Sequence, residues 1–237
     1  MAPKWILPAM VVLLIVMVVS GVLARLLAPR QAATREFLAA QEAERLADPL
    51  APTPPLDEVE MVFPVAALTD QDGRSRTTEI LNGQITLVSF IFTNCVLVCP
   101  QLTGVMAELH EATEGVRHGG RPIRQLSISV DPERDTPEVL RSYAESFGAD
   151  TERWVFTRTD QAQVDALAET LMFRIAPDPD PANLILLPDG SEMANIVHPS
   201  RVFLVGPDRR VLGLYDSNHP QEIDRLKQRL QAIARAP

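Results

Sequence analysis

Two cysteines, Cys95 and Cys99, are the only ones in the chain, and they stand four residues apart in FTNCVLVCP. Thiolates are nucleophiles, redox partners and soft metal ligands, so this pair is where chemistry is to be sought first. If residues 95–99 are helical, the spacing puts both sulfurs on one face, about 6 Å apart along the axis. That is near the upper end of the Cα separation a disulfide tolerates, so the pair can bridge or close around one metal ion. A purely structural disulfide would gain little, because a three-residue loop constrains little of the unfolded chain. Of the four histidines, His110, His118 and His219 read as surface residues. His198, in ANIVHPSRVFLV, comes just before an expected strand and after an irregular stretch, where a loop can fold back over a sheet edge. It is either a ligand or an ordinary loop histidine.

The elements that would position these residues follow from periodicity. Residues 85–92, ITLVSFIF, form a nearly continuous apolar run with β-branched and aromatic residues, which predicts a strand buried on both faces. Leu102, Val105, Met106 and Leu109 then recur at helical spacing, so the cysteines fall at a strand-to-helix junction. The carboxyl edge of a parallel sheet is where α/β folds place their sites, and a helix N-terminus favours a thiolate there. Further strands are expected at 65–69, 123–130 and 154–157, and helices at 136–147 and 161–173. Residues 177–188, rich in Pro, Asp and Asn, read as an excursion from the core. Strands at 201–205 and 211–215, split by Gly206-Pro207-Asp208, predict a hairpin, and 221–234 a closing helix. This order predicts an α/β fold, a thioredoxin-like mixed sheet flanked by helices.

The chain has 237 residues, 46% hydrophobic and 22% charged, with 22 basic against 31 acidic side chains. That supports a real core and excludes a disordered protein. A net charge of −9 repels phosphates and argues against a duplex-binding protein, so no nucleic-acid partner is expected. Trp5–Ala24 carries no charge over 20 residues, about the thickness of a bilayer core as a helix. A cleaved signal peptide is the rival reading, but the run is longer than the usual signal core. The expected organisation is a membrane anchor over 1–28, a juxtamembrane segment and Pro-rich linker over 29–60, and one domain over 61–237. Arg25, Arg30 and Arg35 after the span would by themselves hold that domain in the cytoplasm. The cysteine pair argues for an oxidising side, so the expected location is a bacterial inner membrane with the domain in the periplasm.

CVLVCP, SVDPERDTPE (129–138) and a histidine just before RVFLVGPD together resemble the Sco/SenC family of copper proteins. LTDQDGR upstream and the closing helix match its layout, and the resemblance covers roughly residues 61–237. It implies a thioredoxin-like fold that binds one copper ion, as Cu(I) or Cu(II), through Cys95, Cys99 and His198. It also implies assistance in assembling the binuclear copper centre of cytochrome c oxidase. The implied partners are the copper-bearing oxidase subunit and other copper chaperones or thiol reductants. Soft thiolates with one imidazole suit three-coordinate Cu(I), whereas zinc would want a fourth ligand that nothing obvious supplies.

Three features depart from the family pattern. Val96-Leu97-Val98 stands where Pro-Asp-Val is common, Val197 replaces an acidic residue before the histidine, and Pro199 follows it. Asp131 in the DPERD segment reads either as a residue supporting the site or as a cap of the turn into the next helix. Two rival functions stay open, a thiol-disulfide reductase with Cys95 and Cys99 as its redox pair, and a redox or copper sensor.

Overall fold

The structure is a computed structural model that describes residues 50, 60–95, 98–187 and 189–235. The expected membrane anchor, and all of the expected linker except Leu50 and Glu60, lie outside the described residues. Among the described residues, no helix is long and apolar enough to cross a membrane.

In chain order the elements are β1 (Ala67–Asp70), β2 (Ser75–Thr77), β3 (Thr86–Ile91), α1 (Val98–Ala112), β4 (Arg117–His118), β5 (Arg121–Pro122) and β6 (Arg124–Ser129). There follow α2 (Pro137–Ser146), β7 (Trp154–Arg158), α3 (Gln161–Thr170), β8 (Ala176–Pro177), β9 (Leu184–Leu186) and β10 (Glu192–Ala194). The last four are β11 (Ile196–Val197), β12 (Arg201–Val205), β13 (Val211–Asp216) and α4 (Pro220–Arg235). One seven-stranded sheet runs in the order β13-β12-β3-β6-β7-β1-β2. Its centre, β3-β6-β7, is parallel, and β12, β13, β1 and β2 join antiparallel, so the expected mixed sheet is present.

All six residues of β3 are buried, as a central parallel strand requires. Phe90 meets Phe173 at 4.5 Å and Phe203 edge-on at 5.5 Å, which ties β3 to β12 and to the segment after α3. Burying one such ring contributes about 2 kcal/mol. Three of the polar side chains inside the sheet satisfy one another. Ser89 on β3 and Ser127 on β6 share a hydrogen bond of 3.0 Å, and the Trp154 indole donates to Ser127 Oγ at 2.9 Å.

The helix starts follow local chemistry. Thr136 caps α2, its hydroxyl accepting from the Val139 amide, and Pro137 occupies the first turn, where its missing N–H is harmless. Asp160 caps α3 in the same way. In LTDQDGR the Asp70 carboxylate accepts from the amides of Asp72 and Arg74, and Gly73 supplies the positive φ (+75°) that the β1–β2 turn needs.

Two expectations change. The helix after β3 begins at Val98, so Cys95 lies ahead of α1 rather than in one helix with Cys99. The irregular stretch extends beyond the expected 177–188, and from Ala176 to Val197 it is organised by two small ladders, β9 with β10 and β8 with β11. The β8–β11 ladder closes the excursion at Val197, one residue before His198.

Candidate metal and thiol site

Chain direction brings the site together. β3 ends at Ile91, and the chain leaves the carboxyl edge of the parallel strands through 92–95 into α1. β12 runs antiparallel to β3, pairing Phe203 with Val88 and Val205 with Thr86. His198, three residues before β12, therefore approaches the segment that follows β3, where its ring meets Phe92. The three ligand atoms of Cys95, Cys99 and His198 lie within 4.8 Å of one another. All three of the residues singled out in the sequence are therefore neighbours.

Each donor atom is oriented by a specific contact. Cys99 is fully buried at the start of α1, and its Sγ accepts the Phe92 amide at 3.4 Å. The Cys99 amide, one of the unsatisfied donors of a helix N-terminus, donates to Cys95 Sγ at 3.3 Å. His198 Nε2 lies 3.1 Å from Cys99 Sγ. Its Nδ1 faces the Pro199 carbonyl at 3.2 Å. A carbonyl only accepts, so Nδ1 carries the proton and the Nε2 lone pair is turned to the sulfurs. The ring stands edge-on to Phe92, with centroids 5.5 Å apart.

At Cys99 burial prevails over the stabilisation of a thiolate expected at a helix N-terminus. Burial pushes this thiol up, the neighbouring Cys95 and the Asp135 carboxyl push the same way, and the Phe92 amide opposes them only in part. A buried thiol of this kind stays protonated until a metal ion replaces the proton. The donor set of two sulfurs and one imidazole nitrogen suits a soft ion, and the three donor atoms are close enough together to hold one. The same sulfurs are near enough for a disulfide after a modest shift.

The acidic segment differs from its sequence reading. The Asp131 carboxylate pairs with Arg134 at 3.0 Å, while its carbonyl accepts the amides of Arg134 and Asp135 and so closes the turn. Capping of α2 falls to Thr136. Asp135 is the aspartate directed towards the site, fully buried and hydrogen-bonded to Thr93 and Ser129. Burial pushes its carboxyl up, against hydrogen bonds from Ser129 and Thr93 that favour the ionised form.

His110 is also misplaced by the surface reading, since it is buried beside Trp154 with Nδ1 on Gln125 Oε1 at 2.6 Å. The signal was available, because Cys99, Leu102, Thr103, Met106 and His110 form one helical stripe, and all are buried. His118 is half-buried against the Ile233 carbonyl, and His219 is exposed and pairs with Asp216.

Fold and site together define a thioredoxin-like protein with a Cys-Cys-His donor set at a strand-to-helix junction. A family model described as SCO1/SenC matches residues 60–235, and the chain belongs to that family. The SCO1 protein homolog of Bacillus subtilis is 32% identical over 148 residues, covering 62% of this chain and 69% of the relative. The chain matches about half the length of its mammalian mitochondrial relatives. Bradyrhizobium japonicum ScoI, solved with copper bound, is 25% identical with a TM-score of 0.56, covering 71% of this chain and 98% of that one. BsSco is described as a member of the Sco family of cytochrome c oxidase assembly proteins, in which a disulfide switch was identified. It is 26% identical with a TM-score of 0.59, covering 76% and 96% of the two chains.

Proposed function

We propose that this protein is a copper chaperone that binds one copper ion through Cys95, Cys99 and His198 and assists assembly of the binuclear copper centre of cytochrome c oxidase. The observation that carries the reading is the convergence of two sulfurs and an imidazole nitrogen within 4.8 Å. Two thiolates and a neutral imidazole favour Cu(I), and exchange with a partner's thiols then transfers the ion without a redox step. The copper-bound Bradyrhizobium relative and the oxidase-assembly role of BsSco support the cargo and the pathway. The partners are the copper-bearing oxidase subunit and the copper chaperones or thiol reductants that act before it. In this reading residues 1–28 anchor the protein in a bacterial inner membrane, with the domain in the periplasm.

The neighbouring sulfurs favour one second reading, a thiol-disulfide reductase. Cys95 and Cys99 would give up two electrons and two protons to a partner disulfide and become a disulfide themselves. His198→Ala separates the two. A chaperone variant with two of three donors loses stable copper and oxidase assembly but keeps a reducible Cys95–Cys99 disulfide. The test measures copper per chain after anaerobic loading, disulfide reduction and oxidase activity, beside Cys95→Ser, which should lose all three. Loss of copper with full oxidase assembly would transfer the function to the reductase.

A further inference from the structure

Asp135 lies in the DPERD segment, outside the donor set, yet its fully buried carboxylate accepts several hydrogen bonds. One oxygen accepts from the Thr93 hydroxyl, the other from the Ser129 hydroxyl, and the Thr93 amide is 3.3 Å from both. Among the described residues no salt bridge reaches it. Ser129 ends β6 and stands opposite Ile91, the end of β3. Asp135 therefore staples two neighbouring strand ends where the chain departs for the cysteines. Phe92 lies between the staple and the site. Its amide donates to Cys99 Sγ, its carbonyl accepts the Cys95 amide at 3.3 Å, and its ring meets that of His198. One residue thus touches all three members of the donor set, and its position depends on the turn that Thr93 anchors.

We propose that Asp135 is a positioning residue for the site: by clamping Thr93 it fixes Phe92 and, through Phe92, the mutual placement of Cys95, Cys99 and His198. The metal part of its test rests on the copper reading, while the geometric part does not. Asp135→Asn keeps the volume but turns an NH2 group towards donors. Thr93→Val keeps the shape and removes one hydroxyl without touching a charge, and Thr93→Ser retains both donors.

The experiment uses the full chain. In the metal-free protein, exchange of the Phe92 amide hydrogen should quicken about fivefold in Asp135→Asn and in Thr93→Val, as expected for one weakened hydrogen bond. Exchange at the core amides of Leu126 and Leu204 serves as the reference for global opening and should change less. In the loaded protein, Cu(I) affinity measured against a competing chelator should fall about tenfold in both variants. Thr93→Ser should match the parent, and the double variant should lose no more than the worse single one. If Asp135→Asn does not fold, Thr93→Val alone decides. Phe92 exchange and Cu(I) affinity within twofold of the parent, or exchange that rises equally at the reference amides, would overturn the proposal. A parent that binds no copper defeats the chaperone reading, and the Phe92 exchange still decides the clamp.

Discussion

His198 Nε2 lies 3.1 Å from Cys99 Sγ although 99 residues separate them, and the contact is made by strand direction rather than by a local motif. Cys99 follows the carboxyl end of β3, and His198 precedes the start of its antiparallel neighbour β12. The contact therefore depends on the β3–β12 register, with the β8–β11 ladder fixing the chain just before the histidine.

Destabilising the far edge of the sheet should leave the site intact. Trp154 pairs with Gln125 at the amino-terminal ends of β7 and β6, away from the cysteines. Trp154→Phe removes its hydrogen bond to Ser127 Oγ and part of its packing, which should cost about 1–3 kcal/mol. Urea unfolding should show that loss, while copper per chain stays at the parental value. Loss of copper without loss of stability would mean the two ends of the sheet are coupled.

His110 should make stability depend on pH. Arg153 Nη2 donates to its Nε2 at 3.0 Å, so Nδ1 holds the proton and the ring is neutral in the folded protein. Burial holds its pKa below the ordinary 6.5; Arg153 acts the same way, and Gln125 opposes them. Because the unfolded chain then binds the proton more readily, this contribution is complete above pH 6.5 and is lost as pH falls below it. The urea midpoint should drop between pH 7.5 and 5.5, and His110→Gln should start lower but fall less. An equal fall in both proteins would remove His110 as the cause.

Much of this was legible before folding. The uniform apolarity of residues 85–92 marked a strand buried on both faces, and the Thr136-Pro137 pair marked a helix start. Cys95, Cys99 and His198 stood out because each sits at the end of such an element. Other features carry no local signal. The β8–β11 ladder has only two residue pairs, one with a proline, too short for an alternation pattern. The DPERD segment holds two aspartates, and only tertiary contact distinguishes Asp131, paired to Arg134 near the surface, from Asp135 beneath the site. Helical spacing suggested both sulfurs on one helix, but Cys95 stands in the turn that follows β3, where its sulfur accepts the Cys99 amide.

Topology is open to a direct check. The proposed location puts residues 61–237 in the periplasm, against the arginines that follow the apolar run. A reporter enzyme that works only in the periplasm, fused after Pro237, should be active, and the full chain should remain with membranes through alkaline extraction. Activity only from a cytoplasmic reporter would contradict the location, and release of a chain starting near Arg25 would show a cleaved signal instead of an anchor.

The central claim is that Cys95, Cys99 and His198 hold one copper ion together. Copper K-edge X-ray absorption of the full chain, loaded anaerobically with one equivalent of Cu(I), reads the neighbouring atoms directly. The account predicts two sulfurs and one nitrogen around the ion, with the nitrogen lost in His198→Ala. Two sulfurs alone in the parent, or a spectrum that His198→Ala leaves unchanged, would contradict it.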